Sequence, residues 1–202
     1  SGIWFNQGQV CCAGSRLFVE ESVLPEVLHK LKHRMESLNL GNPLDKNTDI
    51  GPINSKEQLN RIRQSIDLGV EEGSKLHECF NGEVPTTGWW QAPCFFTNVQ
   101  PAQFIAQHEI FGPVLSVMTF RTPEEALQKA NHSSYGLAAG IWSEKGSRIF
   151  GMAKNLDAGV IWCNTYNKFD PSSPFGGFKE SGFGREGGVH GLREYVVLEG
   201  RH

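Results

Sequence analysis

Val114-Leu115-Ser116-Val117-Met118-Thr119-Phe120 runs straight into Thr122, and Glu125 stands three positions further on, the spacing of a helix-capping box. The alternation over 114–120 predicts a strand, and Ala126, Leu127 and Ala130 predict a helix behind the box. Ala138 to Trp142 then reads as another strand, and Ile149, Phe150 and Ala153 as another helix. Gly159-Val160-Ile161-Trp162-Cys163 follows, almost wholly apolar, as a strand covered on both faces requires. Strand and helix alternating in this way predict an α/β fold with a mainly parallel sheet flanked by helices.

Upstream, Arg16-Leu17-Phe18-Val19-Glu20 is a strand candidate. Ser22 sits where a helix cap belongs, with Pro25 in the first turn; Val27, Leu28, Leu31, Met35 and Leu38 recur at helical spacing until Gly41 and Pro43. A second helix starts at Ser55, boxed by Gln58, with Leu59, Ile62, Ile66 and Val70 as its apolar stripe and Arg61 and Arg63 on its polar face. Residues 74–100 lack a helical period and hold Gly82, Pro85, Gly88 and Pro93, which reads as strands and turns crossing the surface. The glycine-rich segment from Pro174 to Gly191 excludes a regular element; Phe175 and Phe178 need burial, so it reads as a loop wrapped tightly around something. Tyr195-Val196-Val197-Leu198 is a closing strand candidate.

The 202 residues, 39% hydrophobic and 20% charged, suffice for one well-cored domain. A net charge of -3 with scattered lysines and arginines offers no basic stripe for nucleic acid, so small-molecule or protein partners are expected. No apolar stretch is long enough to span a bilayer, and the residues from Ser1 on do not read as a charged-then-apolar leader, so a soluble protein is expected. Five cysteines, two of them adjacent and the others at 79, 94 and 163, fit neither a disulfide framework nor zinc spacing, and imply a reducing, cytoplasmic setting. Ser1-Gly2-Ile3-Trp4-Phe5 reads as a chain already in progress, and a piece of a longer protein is expected.

The adjacent cysteines stand in Phe5-Asn6-Gln7-Gly8-Gln9-Val10-Cys11-Cys12-Ala13-Gly14-Ser15-Arg16. A cysteine among small residues and backbone amides can expose its sulfur and stabilise a thiolate, which attacks carbonyl carbons far better than a hydroxyl does. Covalent thiol chemistry is the reading. A cysteine is otherwise a small buried hydrophobe, and a Cys11–Cys12 disulfide would strain the peptide between them.

This thiol run, then Glu109-Ile110-Phe111-Gly112-Pro113-Val114, Asn164 after an apolar strand, and Pro174-Phe175-Gly176-Gly177-Phe178-Lys179 occur in that order. Together they resemble the aldehyde dehydrogenase superfamily over essentially the whole chain, and within it the family sixteen branch, which carries two dehydrogenase-like modules. The resemblance implies an aldehyde dehydrogenase-type catalytic domain over residues 1–194, with 195–202 starting a C-terminal strand and the cofactor domain absent. It implies oxidation of a small-molecule aldehyde to an acid with NAD or NADP, through a thiohemiacetal and a thioester on the nucleophile, in a dimer or tetramer. The family's general-base glutamate and oxyanion asparagine precede the thiol run and cannot be assigned here.

Residue by residue, the resemblance places the nucleophile at Cys11, with Cys12 as its neighbour at the substrate. It implies that Glu109 holds the nicotinamide ribose, where an isolated glutamate would cap or salt-bridge a helix, and that Phe111 packs on the nicotinamide. Gln58 and Arg61 match weaker cofactor contacts, although both sit on a solvated helix face. Asn164 matches a position near the nucleophile, against the plainer account of a loop-anchoring amide. Phe169 and Phe175 match the wall of the aldehyde tunnel, and Glu186 a proton-relay glutamate.

Other patterns carry less. Gly182-Phe183-Gly184-Arg185-Glu186-Gly187 fits the dinucleotide fingerprint by letter, but no strand leads into it. Gly177-Phe178-Lys179-Glu180-Ser181 lacks the adjacent Gly-Lys-Ser/Thr of a phosphate loop, and the seven histidines have no metal spacing. A thiol redox protein would need Cys-x-x-Cys. The competing reading is a catalytically silent dehydrogenase-like module kept for assembly or protein binding.

Overall fold

The computed structural model describes residues 2–197 and 199. They form two compact units, one up to Ala126 and one from Leu127 on, where composition led us to expect one.

In the first unit β1 (Arg16–Glu20) leads through a tight 3-10 turn (Glu21–Val23) into α1 (Leu24–Glu36). Ser22 is not its cap. The intervening turn moves the helix start to Val23, which makes no side-chain capping bond, and the Ser22 hydroxyl donates to the Glu20 carboxylate at 3.1 Å instead. Helix α2 (Lys56–Glu71) does start at Ser55, whose Oγ accepts the Gln58 N–H at 3.1 Å. Its buried stripe is Leu59, Ile62, Ile66 and Gly69 rather than Val70, which is exposed. A Cβ on Gly69 would lie 3.1 Å from Ile105 and Phe96, so the helix approaches the sheet closely there. Ser55→Ala removes one satisfied donor at the helix start and is expected to cost about 1 kcal/mol, read as a midpoint lowered by roughly 2–4 °C in thermal unfolding.

β2 (Lys75–His77), β3 (Cys94–Thr97), the single turn α3 (Phe104–Gln107) and β4 (Val114–Phe120) complete the sheet, in order β1-β4-β3-β2. β1 and β3 run parallel to β4, with Phe18 opposite Met118 and Phe95 opposite Leu115, while β2 pairs antiparallel at the edge. Side chains alternate across the two inner strands. Cys94, Phe96, Val114 and Met118 pack with Leu59, Ile62 and Ile66 of α2 on one face. Phe95, Leu115 and Val117 pack with Met35 and Leu38 on the other. Phe95 and Phe96 are wholly buried, and each contributes about 1.5–3 kcal/mol by leaving water. The expectation that residues 74–100 cross the surface therefore fails at 94–97, which form a central strand.

α4 (Pro123–Asn131) carries the chain into the second unit. There β5 (Tyr135–Gly136), β6 (Ala138–Ile141), α5 (Gly146–Asn155) and β7 (Val160–Cys163) follow. β6 and β7 are parallel, joined through α5 as the alternation predicted. Among the described residues their ladder has two strands; Trp162 is buried while Cys163 is exposed, and 159–163 is not covered on both faces. On α5, Ile149 is buried and Phe150 exposed.

The glycine-rich segment is more regular than its composition implied. It forms β8 (Phe178–Lys179), antiparallel to β5, and α6 (Gly188–Arg193). Phe175 is half-buried, but Phe178 and Phe183 are exposed. Tyr195 to Val197 pair with no described strand, and Leu198 lies outside the described residues.

Candidate active site

The residues singled out in the sequence divide between the units: Cys11, Cys12, Gln58, Arg61, Glu109 and Phe111 in the first, Asn164, Phe169, Phe175 and Glu186 in the second.

The thiol run is a turn held under strain. Asn6, Gln7 and Gly8 take φ of 48, 57 and 72°, a left-handed stretch that L-residues other than glycine adopt rarely. The Asn6 side chain donates to the Gln9 carbonyl at 3.0 Å, and the Gln9 N–H donates back to the Asn6 carbonyl at 2.9 Å. Two further amides reach across the chain. Gln7 Oε1 accepts the Gly51 N–H at 3.0 Å, and Gln9 both accepts the Asn54 N–H (3.1 Å) and donates to its side-chain oxygen (3.0 Å). The turn then closes from the Ala13 N–H to the Val10 carbonyl at 2.9 Å, which leaves Cys11 and Cys12 as its two central residues.

Those two positions have opposite fates. Cys11 is exposed, whereas Cys12 points inward and is 4% exposed. Burial, with the neighbouring Cys11 sulfur as a second cause, pushes the Cys12 thiol up to about 11. Such a thiol is almost wholly protonated at neutral pH, so Cys12 is no second nucleophile and packs as a small buried hydrophobe beside Cys11. No disulfide joins the pair.

Gly8 couples this turn to the Glu109–Phe111 loop. A Cβ on Gly8 would run into the Gly112 carbonyl, and a Cβ on Gly112 would sit 2.6 Å from the Ile62 side chain of α2. Turn, loop and helix are thus stacked at van der Waals contact, and only glycine fits at the two crossing points. Phe111 itself has φ of 56°, unusual for a bulky residue and a mark of local strain.

Glu109, Phe111, Gln58 and Arg61 line one open cleft of about 480 Å³, with Phe104 and Leu68 among its other walls. Glu109 is exposed to water at this cleft, yet the protein around it removes enough hydration to raise its carboxyl above the ordinary value. The Gln58 amide is turned to the loop, donating to the Ile110 and Phe111 carbonyls at 2.9 and 3.2 Å, so the capping box is one-sided. Arg61 pairs with Glu57 at 2.6 Å on the exposed helix face.

In the second unit Asn164, with φ of 54°, ends β7. Its oxygen accepts the Ser143 N–H at 3.0 Å and its nitrogen donates to the Ser143 carbonyl at 3.1 Å, the loop-anchoring geometry. Phe169 and Phe175 meet edge-on with ring centres 5.3 Å apart, and Phe169 meets Trp162 likewise at 5.4 Å. Phe175 and Glu186 exchange both backbone hydrogen bonds at 2.7 Å, which leaves the Glu186 side chain at the exposed surface. Gln7, Gln9, Gly8 and Gly112 were absent from the expected site; the amide-rich run hinted at the first two, but their partners lie more than forty residues away.

Among the described residues no group of three or more His, Cys, Asp or Glu could hold a metal ion, and no helix is long and apolar enough to cross a membrane.

The sequence profile of the Aldehyde dehydrogenase family matches residues 1–199. DhaS of Bacillus subtilis, named as an aldehyde dehydrogenase, is 46% identical over 200 residues, covering 98% of this chain and 40% of its own. Mouse aldehyde dehydrogenase, cytosolic 1, is 43% identical over 198 residues, 98% of this chain and 39% of its own. Among solved structures, a mutant of the indole-3-acetaldehyde dehydrogenase AldA of P. syringae, in complex with NAD+ and IAA, is 41% identical with a TM-score of 0.94, over 98% of this chain and 40% of that one. The 202 residues span about two fifths of the length of such relatives.

Proposed function

The chain belongs to the aldehyde dehydrogenase family, and from that premise we propose that the protein it represents oxidises an aldehyde to a carboxylic acid, with NAD or NADP as acceptor and Cys11 as nucleophile. The observation that carries the proposal is the exposed Cys11 on a turn that Gly8 stacks against the loop bearing Glu109 and Phe111. Residues 1–194 serve as a catalytic domain in this reading. The reading extends to a cytoplasmic dimer or tetramer that takes a small-molecule aldehyde and neither nucleic acid nor membrane.

The cleft suits the nicotinamide end of the cofactor. The Glu109 carboxylate, able to accept with both oxygens, matches a ribose diol, and the flat Phe111 ring at the same cleft matches a flat heterocycle. When bound, the cofactor supplies a hydride acceptor. The chain's own residues do the rest. The Cys11 thiolate adds to the carbonyl carbon, forming a carbon–sulfur bond and a thiohemiacetal; oxidation leaves the acyl group on sulfur as a thioester, and water cleaves that bond to release the acid and restore the thiol. Glu109, Phe111 and Arg61 hold the cofactor end, with Gln58 at the same cleft bonded to the loop. Phe169 and Phe175 form the substrate wall, and Asn164 and Glu186 serve the catalytic step and its protons, as the family pattern implies.

Full-length protein given an aldehyde panel and NAD or NADP is expected to form the reduced cofactor with at least one aldehyde. A protein that binds dinucleotide but turns over none would be the silent module instead. Glu109 adds a finer test. Its raised value means that ionising it opposes folding, so Glu109→Gln is expected to leave stability unchanged or slightly higher. The same change removes the ionised acceptor and is expected to raise the dinucleotide KM about tenfold. In the unaltered enzyme that KM should climb as pH falls through the raised value, at a higher pH than an ordinary glutamate would give, and the variant should lack this limb; a shared limb would remove Glu109 from the ribose.

A further inference from the structure

Phe111 stands at φ of 56° between two residues with no freedom to move: Ile110 is buried at 6% exposure, and Gly112 is wedged between Gly8 and Ile62. One side chain ties down the peptides on both sides of the strained residue. Gln58 Nε2 donates to the Ile110 carbonyl at 2.9 Å and to the Phe111 carbonyl at 3.2 Å, which uses both amide hydrogens. The reverse amide orientation would set an oxygen against two carbonyl oxygens, so the chemistry fixes which way it points. Gln58 is itself fixed at its root, because its N–H is held by the Ser55 cap in the first turn of α2.

We propose that Gln58 is a positioning residue: it fixes the left-handed backbone at Phe111, and so the direction of the Phe111 ring and of the neighbouring Glu109 carboxylate, and acts on the cofactor through them rather than as a separate hand. The functional half of this proposal rests on the dehydrogenase reading. The structural half stands without it.

The test uses two variants of the full-length protein. Gln58→Glu keeps the shape but sets an acceptor against the two carbonyls, and Gln58→Ala removes the group. In both, hydrogen exchange at the Ile110, Phe111 and Gly112 amides is expected to quicken about tenfold while exchange in the β3–β4 ladder is unchanged. The dinucleotide KM should rise about tenfold and the aldehyde KM stay within about twofold, because Gln7 and Gln9 still tie the Cys11 turn to residues 51 and 54 when the loop loosens. Unchanged exchange at 110–112, faster exchange with an unchanged dinucleotide KM, or the two KM values rising in step would each overturn the proposal. If the unaltered protein oxidises no aldehyde, the dehydrogenase reading fails and the exchange measurement alone decides the positioning role.

Discussion

Cys11→Ser in the full-length protein is expected to lower aldehyde-dependent formation of reduced cofactor by roughly ten-thousandfold, because a covalent mechanism loses nearly everything when its nucleophile becomes an un-ionised hydroxyl. The exchange of sulfur for oxygen at an exposed turn position disturbs no packing, so the unfolding midpoint should not move. Cys12→Ala gives the opposite signature. That side chain is buried and its thiol stays protonated, so its loss should cost about 1 kcal/mol of stability and change turnover by less than about tenfold. The paired measurement separates chemistry from packing within one dipeptide. Equal turnover in Cys11→Ser and unaltered protein would remove Cys11 from the mechanism, and with it the covalent route.

Why the dipeptide needed a structure is a matter of direction. Sequence spacing identified a turn with two thiols, but which of its central residues faces out depends on the Val10–Ala13 closure and on Gln7 and Gln9 gripping residues 51 and 54. Partners separated by more than forty residues leave no local periodicity. The same limit explains β3. Cys94 to Thr97 sits among prolines and glycines that signal a surface crossing, and it becomes central only because β4 pairs with it and both helices cover it. Where the signal was local the reading held: β4, α2 with its Ser55 cap, and the parallel β6–α5–β7 unit follow from alternation, capping and helical spacing. Val70 failed for a geometric reason. Its apolar character suited the stripe, but from Ile66 the buried face advances by three residues to Gly69, where the helix comes too close to Ile105 and Phe96 for a larger side chain.

Gly8→Ala is expected to damage fold and activity together, and a control at Gly73 shows why the two effects belong to one contact. Both glycines take a left-handed φ, 72° and 90°, so alanine at either is strained by about 1–2 kcal/mol. At Gly73 nothing lies within 4 Å of the added Cβ, and strain is the whole effect. At Gly8 the Cβ meets the Gly112 carbonyl, backbone against backbone, where no side chain can swing away. Relief requires the thiol turn and the Glu109–Phe111 loop to separate, adding about 1–3 kcal/mol, so the unfolding midpoint should fall by roughly 10 °C against about 5 °C for Gly73→Ala. Separation also moves Cys11 away from the cofactor cleft. A displacement near 1 Å lowers turnover by about a hundredfold when reacting groups must be held in line, whereas Gly73→Ala should leave turnover unchanged. If Gly8→Ala matched Gly73→Ala in stability and kept its turnover, the contact between turn and loop would not be what aligns the thiol.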